Sequence, residues 1–213
     1  MWRRREQGLT LVELVIVMAV SSILFVMIPP LVFQGVKTLV FLPRALAVNQ
    51  VADEVLHQTI EGGFSTLTSS PVKGLRFAGR AFGPSQSAIW LAQPNQVGYL
   101  YAINSGNQTV LIRLNQGMVT RSFPAVSCTP AIGQEEVLPY HAALDSAQVK
   151  IVTPTTPLFR YYDQNGVEVV TPGCPPPSTI RRIDIAFVAR TGSGVGESDA
   201  KERVTSSIAI RAP

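Results

Sequence analysis

The hydrophobic pattern of the chain has two regimes, a continuous apolar run near the N-terminus and shorter periodic segments after it. Residues 9–28 carry a single charge, Glu13. As a helix rising about 1.5 Å per residue, this run spans about 30 Å, the thickness of a bilayer hydrocarbon core. Arg3, Arg4 and Arg5 precede it, and clustered arginines stay on the cytoplasmic side. We therefore expect one membrane-spanning segment, with the following residues outside the cytoplasm.

A second helical pattern follows the apolar run and becomes amphipathic over residues 48–60. Its apolar positions are Val48, Val51, Val55 and Ile60, and its polar face is predicted to contain Asn49, Gln50, Asp53, Glu54, His57 and Gln58. Pro29 and Pro30 each remove an amide donor, so we expect a bend there and a further kink near Pro43. Gly62 and Gly63 predict the end of the helix.

The rest of the chain has the two-residue period of β-strands. Residues 64–86 are rich in Ser, Gly and Pro and predict no regular element. Strands are predicted at 97–103, 110–114, 119–123, 149–153, 158–163, 167–170, 183–190 and 204–211, with a tight turn at Asn165 and Gly166. Residues 128–145 are expected to wrap the sheet edge, 172–177 to lie outside any central strand, and 191–202 to form a mobile loop. One long helix and an antiparallel sheet make the predicted fold class α+β.

Composition limits the classes of partner and the number of cores. The chain has 213 residues, of which 46% are hydrophobic and 15% charged, enough for one substantial core. Its formal net charge is +4, but residues 1–8 hold three arginines and one glutamate, so their removal leaves +2. Arg181 and Arg182 are too short a basic run for a nucleic-acid site. The sequence therefore indicates no nucleic-acid partner.

Cys128 and Cys174 are the two cysteines of the chain, and both follow the membrane segment. Thiols outside the cytoplasm pair more often than they persist, so we predict a disulfide between them. A loop of about 47 residues closed in this way gains about 4 kcal/mol in the chain-entropy model. The sequence leaves open that either cysteine stays free, and two cysteines without a local histidine do not predict a metal site.

The candidates for catalysis or ion binding do not form a site in the sequence. His57 lies on the polar helix face and His141 in an irregular segment, and no nucleophile motif accompanies either. The glycine-rich residues 192–196 lack the lysine and preceding strand of a phosphate loop. Asp163, Asn165 and Glu168 could crowd a calcium ion, but ordinary turn chemistry is the favoured interpretation. We predict no enzyme activity, no cofactor and no metal.

Two general interpretations of the N-terminus compete with a more specific one. A secretory signal peptide would need cleavage after the Ala-x-Ala site at residues 45–47, far beyond the usual position. A plain signal anchor would place Glu13 near the lipid headgroups, about 6 Å from the start of the span. Neither explains why a glycine, Gly8, stands between a basic leader and an apolar residue followed four positions later by a glutamate.

That arrangement, Gly8 followed by Leu-Thr-Leu-Val-Glu, closely resembles the processing motif of type IV prepilins and of the pseudopilins of type II secretion. The resemblance implies that a membrane prepilin peptidase cuts between Gly8 and Leu9 and methylates the new amino terminus of Leu9. An ionisable residue in apolar surroundings needs a partner. The implied partner of Glu13 is the Leu9 amine of a neighbouring subunit, a pairing that would set the axial register of assembly.

The resemblance also implies a domain layout and a location. Residues 1–8 would be a cytoplasmic leader, 9–33 the transmembrane half of a long helix, and 34–213 an extracytoplasmic domain with the pilin fold. The protein would lie in the bacterial inner membrane as a single-pass protein with a periplasmic C-terminal domain, and then in a filament.

Details of the outer part resemble J-type minor pseudopilins and W-type minor pilins, notably 111–114, 159–166 and 207–211. They imply a minor subunit at or near the tip of a type II secretion pseudopilus, with I-like and K-like minor subunits and the inner-membrane assembly platform as partners. Two alternatives stay open: a minor pilin of a type IV pilus that serves adhesion, motility or DNA uptake, and a signal-anchored binding protein that never polymerises.

Overall fold

The computed structural model describes residues 10–79, 88–103, 106–131, 133–138, 149–152, 157–169, 174, 180–191 and 201–210. The chain divides into two compact units, Met1–Pro43 and Arg44–Pro213. A single helix, α1 (Leu11–Ile60), begins in the first unit and ends in the second.

Helix α1 continues through all three of its prolines, Pro29, Pro30 and Pro43, so none of them ends it. It ends at Ile60, just before the predicted glycine pair. Gly62 has φ +93°, a left-handed conformation that favours glycine at the C′ position of a helix. A side chain at Gly62 would also collide with the backbone carbonyl of Val72.

The amphipathic half of α1 has the predicted buried face with one correction. Val48, Val51 and Val55 are buried, but Gln58, which we had placed on the polar face, is also buried. The prediction was wrong because Gln58 lies seven positions after Val51, which returns it to the same side of a helix with 3.6 residues per turn. Its amide donates a hydrogen bond of 2.7 Å to the carboxylate of Glu54.

The described residues of the second unit form eleven antiparallel strands in three sheets. The strands are β1 (Gly62–Ser65), β2 (Ser70–Lys73), β3 (Ile89–Gln93), β4 (Gln96–Ile103), β5 (Gly106–Asn115), β6 (Met118–Ser122), β7 (Glu136–Leu138), β8 (Val149–Val152), β9 (Phe159–Tyr162), β10 (Arg182–Thr191) and β11 (Lys201–Ala209). Strands β1 and β2 form a separate two-stranded sheet, and β3 to β7 form a five-stranded sheet in sequence order. In the third sheet, β10 pairs with β11 on one side and with β8 and β9 on the other. The α+β prediction is confirmed.

One buried cluster joins the second half of α1 to both larger sheets. Its members include Val51 and Val55 of the helix, Tyr99 of β4, and Phe159 and Ile185 of the smaller sheet. The hydroxyl of Tyr161 lies 2.9 Å and 3.1 Å from the carbonyls of Gln93 and Gln96, so β9 is tied to the β3–β4 turn. These shared contacts make 44–213 one folded unit.

Several strand predictions were confirmed. The hairpin of β4 and β5, the continuation into β6, and strands β8, β9, β10 and β11 lie where the two-residue period placed them. Along β10, Ile183, Ile185, Phe187 and Ala189 are buried while Arg182, Asp184 and Arg190 are partly exposed, which is the alternation of a half-buried strand.

Other segments differ from the prediction. Residues 64–79 contain a hairpin and a short 3-10 helix (Leu75–Phe77), although we expected no regular element there. Strand β3 was missed because four of its five residues are buried, so no alternation marks it. Strand β7 lies within the segment expected to be irregular. Residues 167–169 contribute one isolated bridge and not the expected strand. The last part of the predicted wrap, residues 139–145, and the centre of the predicted mobile loop, 192–200, lie outside the described residues.

Candidate functional site

The start of α1 is a capping box built by Thr10 and Glu13. The Thr10 amide and hydroxyl donate to Oε2 of Glu13 at 2.9 and 3.1 Å, and the Glu13 amide donates to the Thr10 hydroxyl at 3.3 Å. A Thr-x-x-Glu pair satisfies orphan amides at a helix start, and the negative charge suits the positive end of the helix dipole. This role of Thr10 was not predicted, although the Thr-x-x-Glu spacing indicates it. Gly8 and Leu9 lie outside the described residues.

The capping box leaves one carboxylate oxygen of Glu13 available. Both bonds from Thr10 go to Oε2, and no described residue donates to Oε1. The site can therefore hold Glu13 in a fixed orientation and still accept a hydrogen bond from an external donor. An amine is one such donor.

The helix that follows is apolar on all sides. Leu11–Leu39 is a 29-residue stretch whose most apolar 18-residue window has a mean hydropathy of 2.7, and it is the one span in the described part of the chain that is long and apolar enough to cross a membrane. Its side chains are exposed, for example Phe25 at 80%. Ser22 and Thr38 donate to the backbone carbonyls of Ala19 and Gln34, so their hydroxyls are satisfied within the helix. Such a surface needs lipid or other apolar helices around it.

A buried ion pair, absent from the sequence analysis, ties the β1–β2 hairpin to the five-stranded sheet. Arg121 Nε donates to Oε1 of Glu136 at 2.5 Å, and both side chains are more than nine-tenths buried. Arg121 also donates to the Phe64 carbonyl, and Glu136 accepts from the amide and hydroxyl of Thr66. The sequence does indicate the burial of Arg121. Side chains two residues apart on a strand lie on the same face, so Arg121 points to the core as Val119 does.

The neighbouring carboxylate makes a second, more exposed ion pair. Glu135 accepts from Arg113, Asn115 and Thr120. Burial alone would raise the pKa of Glu135, but the hydrogen bonds from Arg113 and Asn115 and the Arg113 charge outweigh it and hold the pKa below its usual value.

Glu136 has the same balance of effects with different partners. Burial raises its pKa, whereas hydrogen bonds from Arg121 and Ser65, followed by the Arg121 charge, lower it to a value below the usual one. Both carboxylates are therefore held ionised by basic partners. This is what a structural ion pair needs, and neither carboxylate is free to act as a proton donor at neutral pH.

The structure contains the disulfide between Cys128 and Cys174, with 5.2 Å between their Cα atoms. Cys174 packs against a second small cluster on the other side of the five-stranded sheet, made of Trp90, Leu91 and Leu111. The Trp90 indole lies on Gly98, where any Cβ would collide with the ring, and its Nε1 donates to the Tyr99 carbonyl. The disulfide thus holds Cys174 against this cluster.

The remaining candidates for chemistry stay apart. His57 is exposed on α1, and His141 and residues 192–196 lie outside the described residues. Asp163 accepts hydrogen bonds from the amides of Asn165 and Val167, which is turn chemistry, while Glu168 lies 3.8 Å from Arg160. The part of the chain that the structure describes contains no group of three His, Cys, Asp or Glu side chains able to hold a metal ion.

Comparison with known families adds the deciding observation. Residues 3–29 match the family model of the prokaryotic N-terminal methylation motif. This stretch is a prepilin-type motif. Comparisons with curated proteins and with solved structures gave no significant match. The motif, the long apolar helix and the antiparallel sheets together support a type IV pilin-like subunit with an architecture consistent with the pilin fold. They suggest a structural protein, fit membrane anchoring, and imply processing by a prepilin peptidase and assembly with other pilins.

Proposed function

We propose that the chain is a minor pilin-like subunit of a type II secretion pseudopilus and assembles at or near the filament tip. The pilin-like part is carried by the match of residues 3–29 to the methylation motif at the head of an apolar helix. The assignments to a type II secretion system and to the filament tip rest on the resemblance to J-type minor pseudopilins and on the size of the unit that follows the membrane helix. Residues 44–213 form one large compact unit, and a tip subunit faces fewer identical neighbours than a shaft subunit.

In this proposal a prepilin peptidase cuts between Gly8 and Leu9 and methylates Leu9. Cleavage removes the arginine-rich leader and leaves a positive amine one residue before the helix cap at Thr10. The mature chain then stores its apolar helix in the inner membrane, with residues 34–213 on the periplasmic side, until the assembly platform transfers it to the filament.

Glu13 then recruits the subunit by pairing with the Leu9 amine of a neighbour. The support is geometric, because Thr10 occupies Oε2 and leaves Oε1 without a donor among the described residues. A carboxylate in apolar surroundings gains from such a partner, since leaving it unpaired there costs a few kcal/mol.

Three variants separate the charge from the cap. Glu13→Leu removes both, Glu13→Gln keeps a side chain that can complete a capping box, and Thr10→Val removes the cap but keeps the charge. We expect all three to insert into the membrane. Co-purification with partner subunits in detergent should fall strongly for both Glu13 variants and little for Thr10→Val. Unchanged co-purification of Glu13→Gln would contradict the pairing role.

The tip assignment has its own test. Asn49, Asp53 and His57 are exposed on the second half of α1, so a photo-crosslinker at any of them samples the neighbouring subunit. We expect low-copy capture of I-like and K-like minor subunits. If this chain is instead the most abundant component of sheared filaments and crosslinks mainly to itself, the tip assignment is wrong and the pilin-like assignment stands.

The second candidate is a minor pilin of a type IV pilus, which the resemblance of the outer strands to W-type minor pilins favours. Deleting the gene for this chain distinguishes the two. Loss of protein secretion with intact pili supports the pseudopilus, and loss of surface pili with intact secretion supports the pilus.

A further inference from the structure

The outer face of the smaller sheet contains an open depression of about 450 Å³ that the proposed assembly function does not use. Its lining includes Arg160 and Tyr162 from β9, Asp184 and Ala186 from β10, and Arg203 and Ser207 from β11. All of these residues belong to the second compact unit. Any ligand of this depression is therefore bound without the membrane helix.

The depression exists because a small side chain stands between long ones. Ala186 pairs with Thr205 of β11. On its other side, ladder pairing with β9 extends only to Ile185 and pairing with β8 starts at Val188, and the Ala186 amide donates to the Leu158 carbonyl. The small side chain of Ala186 therefore forms the bottom of the depression, and the longer side chains of Arg160 and Arg203 line its sides.

Some charged side chains in and beside the depression have close partners within the protein, and others do not. The Asp184 carboxylate accepts from the Ser207 hydroxyl at 2.6 Å and lies 3.1 Å from Arg182 Nε. Arg182 in turn stacks over the Tyr162 ring at 4.0 Å. The ion pair of Asp184 and Arg182 thus leaves little net charge.

The two arginines that line the depression have spare hydrogen-bond donors. Arg160 lies 3.8 Å from Glu168, and both side chains are more than a third exposed, so this pair is weak. Arg203 is exposed and makes no hydrogen bond or ion pair with any residue that the structure describes. Two guanidinium groups are therefore available to an external anion.

We propose that this depression binds an extended acidic segment of a partner protein through two of its carboxylates. Arg160 is in register with Asp184, and Arg203 with Val188, four residues further along β10 and two strands away. Strand geometry puts their Cα atoms about 16 Å apart, so one small anion cannot engage both backbone positions closely. Arginines reaching inward suit carboxylates at alternate positions of an extended peptide, about 7 Å apart.

The same residues select against nucleic acid. The Asp184 carboxylate lies inside the depression and Glu168 beside Arg160, so a continuous polyanion would meet negative charge where it needs cations. A peptide can place neutral residues at these points. The partner is therefore an acidic protein segment.

The test measures binding of a fluorescein-labelled Glu-Thr-Glu-Thr-Glu peptide to the full chain in neutral detergent by anisotropy. We expect Arg160→Gln and Arg203→Gln each to weaken binding about three- to fivefold, and the double variant about tenfold or more. Lys73→Gln removes an exposed cation from β2, outside this lining, and should leave the affinity unchanged. The double reversal Arg160→Glu/Arg203→Glu should lose the acidic peptide and bind Lys-Thr-Lys-Thr-Lys instead.

The contrary outcomes are equally specific. Binding of Gln-Thr-Gln-Thr-Gln as tight as that of the acidic peptide, or equal losses in the Lys73 and Arg203 variants, would overturn the proposal. So would tighter binding of a single-stranded oligonucleotide of the same charge through the same arginines. None of these results depends on processing or filament assembly, so failure here leaves the proposed function intact.

Discussion

The two halves of α1 share one helical backbone but arrange their apolar side chains differently. In Leu11–Leu39 exposed apolar side chains lie on every side and Glu13 and Lys37 are the only charges, whereas residues 48–60 bury a stripe of valines in the core and expose Asn49 and Asp53. The first half must find its apolar surroundings outside the folded unit, and the second half finds them in its own sheets. The two halves therefore differ in how apolar residues are spaced along the sequence, and not in their backbone conformation.

The largest expected effect comes from placing the same charge in each half. Val51→Asp buries an unpaired carboxylate in the core, which costs more than about 4 kcal/mol, so residues 44–213 should become protease-sensitive in spheroplasts. Val20→Asp should leave that unit resistant but cost about 3 kcal/mol of insertion, read as extraction from membranes by carbonate. Protease resistance of Val51→Asp would break the comparison.

The next effect concerns the buried ion pair. Arg121→Met leaves Glu136 charged and buried, and we expect a loss of about 3–5 kcal/mol in the free energy of unfolding. The double variant Arg121→Met/Glu136→Gln should recover much of it. Urea unfolding followed by Trp90 emission in a Trp2→Phe background measures both, since these are the two tryptophans of the chain.

The matched control for that variant is an exposed pair. Arg76 lies 2.6 Å from Glu61 with its side chain 59% exposed, so Arg76→Met should cost at most about 1 kcal/mol. Equal losses for Arg76→Met and Arg121→Met would show that burial is not what makes the second pair important.

The disulfide should contribute somewhat less. Cys128→Ser/Cys174→Ser opens a loop with a sequence separation of 46 residues and should destabilise the second unit by about 2–4 kcal/mol. The same urea experiment under non-reducing conditions gives the value. If adding reductant to the unmodified chain leaves the urea midpoint where it was, the disulfide is either not formed or not stabilising.

The smallest effect is a dependence of stability on pH. Glu135 and Glu136 have folded-state pKa values below their usual ones. Their contribution is therefore complete above the unfolded-state value of about 4.3 and is lost as the pH falls below it through the folded-state values. Glu135→Gln and Glu136→Gln should each flatten this acid limb of the unfolding midpoint. An unchanged limb would show that other groups control it.

The parts of the fold that the sequence predicted are those in which one face is buried and the other exposed. Strand β10 follows this rule, and along β4 the buried Tyr99 and Tyr101 alternate with the partly exposed Leu100 and Ala102. Strand β3 does not, because it is covered on both faces by two separate clusters, and its apolar run therefore lacks a period. Gln58 was placed on the wrong face and Arg121 was overlooked for a related reason. Each is a polar residue at a position whose place in the helical or strand period predicts burial, so its burial is predicted only if the period counts for more than the polarity of the side chain.

The candidate site was predicted in part. Gly8, Leu9 and Glu13 follow from the motif, but the hold of Thr10 on one oxygen of Glu13 required the geometry of the helix start. The ion pair of Arg121 and Glu136 joins residues fifteen positions apart across a strand pairing. No local pattern records such a pairing, because it depends on the register of β6 and β7.

The central claim is that the N-terminus is processed as in a prepilin, and the intact mass of the chain tests it most directly. Co-expression with an active prepilin peptidase should yield a protein that lacks residues 1–8 and carries one additional methyl group on Leu9. Gly8→Ala should block or slow this change, whereas Thr10→Val should not. A full-length, unmethylated mass in the presence of a peptidase that processes a control prepilin would contradict the account and favour a signal anchor.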